Sequence, residues 1–194
     1  MSFPRVDDDI GSGRRQQSAY SKKSRRTAHG LQACKGSRAL DITPLVRAVE
    51  ALHDDNAFKA QLSAAQWQQL AAVMKREEIA AGDMLVQRGD VEPKAYLVES
   101  GQLQVFVTGG PPRSHRMAAL GAGALLGEPA LFGATPRMAH VEAVSATVVW
   151  SLCARRLHEM AAVAPQLVLE VLRAAGAVMA VRMQANLERG IPTV

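Results

Sequence analysis

No run of apolar residues in this 194-residue chain approaches the length of a membrane span. Uncharged stretches such as 143–154 fall well short of the roughly 18 residues required, and the N-terminus places Asp7, Asp8 and Asp9 where a signal peptide would need an apolar core. Neither export nor membrane insertion is expected. Cysteine is almost missing: Cys34 and Cys153 give no disulfide framework, which fits a reducing cytoplasm. Also lacking are a G-x-S-x-G elbow, metal-ligand spacing and a pair of carboxylates placed for acid–base work. Catalysis and a metal cofactor are therefore not expected.

Charge of one sign is confined to one end. The formal net charge is +5, yet residues 1–39 hold nine Lys and Arg against three Asp, a net of +6, so the remainder carries −1. Residues 1–40 combine Gly, Ser, Arg, Lys and Gln with few large apolar side chains, a composition that predicts a disordered basic tail. Arg14-Arg15 and Lys22-Lys23-Ser24-Arg25-Arg26 would attract nucleic acid, acidic lipid or an acidic protein face, or serve only as a solvated tail. Residues 41–190 are expected to form one domain.

From Ile42 the texture changes. Thr43 and Pro44 suit an N-cap and first helical position, and Leu45, Ala48, Val49 and Leu52 recur at helical spacing. Ser63 and Gln66 make a capping box ahead of Trp67, Leu70, Ala71 and Met74, with Phe58 and Leu62 stapling the junction between the two helices. The helical period is lost beyond Glu78. Short apolar segments at 84–87, 95–99 and 103–107 are separated by Gly82, Gly89-Asp90 and Ser100-Gly101, and further strands are expected at 116–120, 138–143 and 147–152. Closely spaced short strands predict a sandwich or barrel. Helices are expected at 154–160 and 165–187. In the longer one Val168, Leu172, Ala175, Met179, Arg182 and Asn186 fall at alternating steps of four and three, a stripe for packing on the barrel or on a second copy.

The stretch 126–141, LGEPALFGATPRMAHV, carries the chemistry. Gly127 permits close backbone approach, Pro129 suits the start of a helix whose free N–H groups would face an anion, and Arg137 supplies a planar fork for phosphate oxygens. Glu128 repels phosphate and so needs a donor such as a sugar hydroxyl. An anion and a hydroxyl on one small ligand imply a nucleotide. Taken singly, Arg137 would better suit an exposed surface position, while Glu128 has the alternative, less favoured than ribose binding, of answering the dipole of a helix N-terminus.

LGEPAL at 126–131 and PRMA at 136–139 resemble the phosphate-binding cassette of cyclic-nucleotide-binding domains, the family of the catabolite activator protein and the protein kinase A regulatory subunit. The glycine turns at Gly82, Gly89 and Gly101 resemble those of the family's β-roll, which extends the likeness over about 63–186. The resemblance implies an α+β fold: a double-stranded β-helix, or jelly-roll-like β-roll, flanked by N-terminal helices and a C-terminal lid helix. It implies a non-catalytic sensor whose ligand is cyclic AMP, cyclic GMP or cyclic di-GMP. Glu128 would take the ribose 2′-hydroxyl and Arg137 the cyclic phosphate, while Gly127, Ala130, Met138 and Ala139 would line the pocket.

Two positions depart from the family pattern. Pro129 stands where Leu or Ile is usual, without loss of the Ala130 amide, and Met138 stands where some relatives carry a hydroxyl favouring cyclic GMP, which tilts the expectation to cyclic AMP. No Phe, Tyr or Trp follows Trp150, so Leu172, Met179, Arg182, Met183 and Asn186 are the candidate lid residues, with core or dimer packing as their alternative role. His140 reads as a strand histidine without a second metal ligand nearby. No room is seen for a helix-turn-helix after the last helix. The expected partners are an effector protein and a second copy paired through that helix. The rival expectation is a degenerate domain that acts as a protein- or nucleic-acid-interaction module without ligand.

Overall fold

The computed structural model describes residues 41–107, 115–133 and 135–188, with backbone alone at 115–117. The basic segment expected at 1–40, including Cys34, lies outside the described residues. Two helices come first, α1 (Thr43–Ala51) and α2 (Ala64–Val73). Eight strands follow: β1 (Met74–Ile79), β2 (Met84–Val86), β3 (Lys94–Ser100), β4 (Leu103–Val107), β5 (His115–Leu120), β6 (Leu125–Leu126), β7 (His140–Ala143) and β8 (Thr147–Cys153). Helices α3 (Ala154–Met160) and α4 (Pro165–Glu188) close the described chain.

The strands form two antiparallel four-stranded sheets in the orders β1-β8-β3-β6 and β2-β7-β4-β5. Tyr96, Val98, Leu103, Leu126, Val141 and Val149 pack together in the core shared by the sheets. The other face of the first sheet is covered by helices: Leu97, Trp150 and Leu152 join Leu45, Phe58, Trp67, Leu70 and Val171 in a second core cluster. With both faces covered, β3 is buried continuously from Ala95 to Glu99, so the hydrophobic alternation of a half-exposed strand is absent there. The expected α+β roll with flanking helices is what the chain forms.

Several boundaries differ from the sequence reading, each for a local reason. Ile42, not Thr43, is the N-cap of α1, and Asp41 Oδ1 accepts the Thr43 N–H at 3.0 Å in place of a threonine cap. The α2 capping box forms as expected: Ser63 Oγ accepts from the Gln66 N–H at 3.3 Å, and Gln66 Oε1 from the Ser63 N–H at 2.8 Å. The helical pattern read through Glu78 stops at Val73, because Met74 to Ile79 pair with Leu152 to Thr147 as an edge strand. Charged side chains on β1 find partners across the sheet: Arg76 grips Glu99 and Glu77 accepts from Ser151 Oγ at 2.6 Å. The two-residue strand β6 carries no period for a sequence pattern to reveal.

In β3 the ladder shifts between Val98 and Ser100, leaving Glu99 as an extra residue that the bulge re-aims inward. Trp150 Nε1 donates to its Oε2 at 2.6 Å, and Arg76 donates to both carboxylate oxygens at 3.1 and 2.8 Å. Burial opposes the charge on Glu99, but the Arg76 and Trp150 hydrogen bonds outweigh it and hold the carboxyl below its ordinary range.

On α4 the stripe from Val168 through Leu172 and Ala175 faces the core, with Met179, Arg182 and Asn186 half-buried along the same line. A second line at steps of four and three, Leu169, Arg173, Gly176, Ala180, Met183 and Leu187, is exposed except at Gly176, which is half-buried. Among the described residues no helix is long and apolar enough to cross a membrane.

Candidate functional site

The site is assembled where β6 runs out. Leu125 and Leu126 pair with Leu97 and Tyr96 of β3, and the chain then turns sharply at Gly127, whose φ of 69° lies in the left-handed region. A Cβ there would sit 2.6 Å from Arg137 Nη1 and 3.1 Å from the Lys94 carbonyl oxygen, so glycine serves both the turn and the room for the guanidinium. Glu128 to Leu131 form a single 3-10 turn with Pro129 in its first positions. The expected helix start near Pro129 is thus one residue earlier and only one turn long. The Ala130 N–H, read as facing an anion, donates to the Gly127 carbonyl at 3.2 Å.

Arg137 is fixed at its backbone before its side chain is placed. Its N–H donates to the Asp90 carbonyl at 2.8 Å, and its carbonyl accepts from the Gly89 N–H at 2.9 Å, tying the cassette loop to the β2–β3 turn. The guanidinium then runs inward. Nη2 donates to the Lys94 carbonyl at 2.6 Å, Nη1 to the Gly127 carbonyl at 3.4 Å, and Cζ lies 5.9 Å from the centroid of the Tyr96 ring. The residue is only 8% exposed and its Nε is buried without a hydrogen-bond partner. Among the described residues Arg137 has no carboxylate partner. Carbonyl dipoles and a ring face orient a cation but do not neutralise it, so the guanidinium is buried with its charge unmet among the described residues.

Tyr96 is pinned by Glu92, whose Oε2 accepts from the phenol at 3.2 Å. Burial first, and then the charge of Glu92, push the Tyr96 hydroxyl well above its ordinary pKa, so it stays a neutral donor beside the arginine. Glu92 also pairs with Lys94.

Glu128 is 4% exposed and its charge is already met. Arg182 of α4 donates from Nη1 to Glu128 Oε1 at 2.7 Å. The same guanidinium donates from Nε and Nη2 to Asn56 Oδ1 at 3.2 and 3.0 Å, and from Nη2 to the Leu125 carbonyl at 2.6 Å. The lid helix, the cassette and the α1–α2 connection therefore meet at one side chain. Arg182, one of the candidate lid residues, here serves the carboxylate. Asn56 was missed, and no local pattern marks it.

The remaining expected site residues are dispersed. Met138 points outward at 68% exposure, Ala139 is half-buried, Leu172 packs on the core, Met179 and Asn186 are half-buried and Met183 is exposed. His140 stacks on Phe106 at 5.3 Å, and its Nδ1 accepts from the Arg88 N–H at 3.2 Å, as a satisfied strand histidine should. Among the described residues no three His, Cys, Asp or Glu gather as a metal site would require.

The family profile for cyclic nucleotide-binding domains matches residues 76–163. This chain contains a cyclic nucleotide-binding domain. It is 29% identical over 143 residues to the cAMP-dependent protein kinase regulatory subunit of Blastocladiella emersonii, an alignment covering 74% of this chain and 35% of that protein. The chain thus spans about a third of the length of the curated relative it matches. Among solved structures, the Thermus thermophilus catabolite activator protein is similar at 25% identity and a TM-score of 0.61, over 69% of this chain and 62% of that one. A cyclic nucleotide-binding domain from Methylobacillus flagellatus shares the fold at 22% identity and a TM-score of 0.66, over 78% and 83% of the two chains.

Proposed function

We propose that this domain is a non-catalytic sensor whose ligand is a cyclic nucleotide, with cyclic AMP favoured and cyclic GMP and cyclic di-GMP as related candidates. The observation that carries the reading is Arg137: a buried guanidinium with an unpartnered Nε and no counter-ion among the described residues. A cyclic phosphate would accept from Nε and the Nη groups and supply the missing charge. Glu128 would accept from the ribose hydroxyl, and the backbone at Gly127, Ala130, Met138 and Ala139 would line the pocket. The name of the Blastocladiella relative supports cyclic AMP.

The output would run through α4, because Arg182 ties that helix to the carboxylate that meets the ligand. An effector protein in the cytoplasm, or a second copy seated along the Leu169–Met183–Leu187 line, would read the movement. The basic segment at 1–40 would add an attraction to nucleic acid or another acidic surface.

Titration calorimetry of Arg137→Ala against cyclic AMP tests the reading. Removing a guanidinium paired with a buried phosphate is expected to weaken binding by about 2–5 kcal/mol, roughly 30- to several-thousand-fold. Unchanged affinity would overturn the assignment of the phosphate to Arg137. Failure of cyclic AMP, cyclic GMP and cyclic di-GMP alike to raise the melting temperature at millimolar concentration would favour a domain that has kept the roll and lost the ligand.

A further inference from the structure

Glu128 poses a problem for the sensor reading that the surrounding hydrogen bonds resolve. A carboxylate buried to 4% exposure has to be neutralised, and Arg182 does so through a single contact, Nη1 to Oε1 at 2.7 Å. A ligand hydroxyl is neutral and cannot replace a guanidinium without stranding a buried charge. The hydroxyl must therefore join at the other carboxylate oxygen while Arg182 stays, and whatever orients Arg182 orients the acceptor.

That orienting group is Asn56. Its Oδ1 accepts from both Nε and Nη2 of Arg182, at 3.2 and 3.0 Å. Its own amide is not free to turn, since Nδ2 reaches Asp54 Oδ2 at 3.4 Å and the backbone N–H donates to Asp54 Oδ1 at 2.7 Å. The ring closes through Leu125. Leu125 N–H donates to the Asn56 carbonyl at 3.1 Å, and the Leu125 carbonyl accepts from Arg182 Nη2 at 2.6 Å. Three segments far apart in sequence thus fix one guanidinium with Nη1 aimed at Glu128.

We infer that Asn56 and Arg182 are a positioning pair for the hydroxyl-binding carboxylate, which makes the α1–α2 connection part of the ligand site. Ligand binding and docking of α4 then reinforce each other, because both require the same guanidinium in place. The inference rests on the cyclic-nucleotide reading for the identity of the hydroxyl, but not for the existence of the ring.

The test uses the full chain, unchanged and as Asn56→Ala, Asn56→Asp and Arg182→Lys, with cyclic AMP and its 2′-deoxy analogue as calorimetric probes. The unchanged chain is expected to prefer the ribose form by about tenfold or more, the worth of a hydrogen bond to a charged group. Asn56→Ala and Arg182→Lys should cut that preference to within about threefold, whereas Asn56→Asp, which keeps an acceptor oxygen, should retain most of it. A merely structural role for Asn56 would weaken both ligands alike and leave the ratio intact, and that result would overturn the inference. Amide exchange without ligand gives a second readout: Asn56→Ala should speed exchange in the Glu128–Leu131 turn and the last turns of α4, and wild-type exchange in both would also overturn it. If the unchanged chain binds neither nucleotide, the choice of cyclic AMP falls and the exchange result alone decides the pair.

Discussion

The turn at residues 125–128 is held by two arginines of opposite kind. Arg137 is buried with an idle Nε, while Arg182 makes four hydrogen bonds, to Glu128, Asn56 and Leu125. Gly127→Ala tests how tightly the first is held. Its φ of 69° is uncomfortable for alanine, and the new Cβ would press on Arg137 Nη1. A loss of about 1–2 kcal/mol in denaturant unfolding is expected, with a fall in cyclic AMP affinity larger than an equally destabilising core substitution produces. Arg137 and Glu128 were legible in the sequence because both lie in one short motif. Asn56 was not, since its contact with Arg182 joins positions 126 apart and an isolated asparagine in a connection reads as a turn residue.

Among the elements, α2 was legible at its start and not at its end. The capping box at Ser63 and Gln66 is a local device, visible in four residues and formed as read. Ser63→Ala should therefore cost about 1 kcal/mol in urea unfolding, with ligand binding at the distant cassette unchanged. The end of α2 and the strand β1 are a tertiary matter. Met74 to Ile79, MKREEI, has a composition a helix tolerates well, yet β8 offers an open edge, and Arg76 and Glu77 find partners on β3 and β8. At the cassette the physics runs the other way. Pro129 correctly announced a helical turn, but the turn was limited to Glu128–Leu131 and the Ala130 amide is spent on the Gly127 carbonyl, so an anion bound there would depend more on the guanidinium than on a helix N-terminus.

For the whole molecule, the carboxylates Glu99 and Glu77 link stability to pH. Burial opposes their ionisation, and the hydrogen bonds from Arg76 and Trp150 to Glu99, and from Ser151 and Lys75 to Glu77, prevail, so both sit below the ordinary value of 4.5. A carboxyl whose folded pKa is depressed contributes stability above its unfolded pKa and loses it as pH falls through the folded one. The melting temperature should therefore be flat with respect to these groups near neutrality and decline as pH drops below about 4.5, with a shallower decline in Glu99→Gln. A differential scanning series from pH 7 to pH 3 measures it. By itself the sequence determined the local devices: the α2 cap, the turns at Gly82, Gly89 and Gly101, the strands long enough to show a period, and the cassette with its arginine and glutamate. Those depend on neighbours within a few residues. Only the tertiary structure decided that Arg137 is buried without a counter-ion among the described residues, that β1 is a strand, and that α4 meets the cassette through Arg182 and Asn56. Burial and charge pairing are properties of what the folded chain brings together, and no short window of sequence contains them.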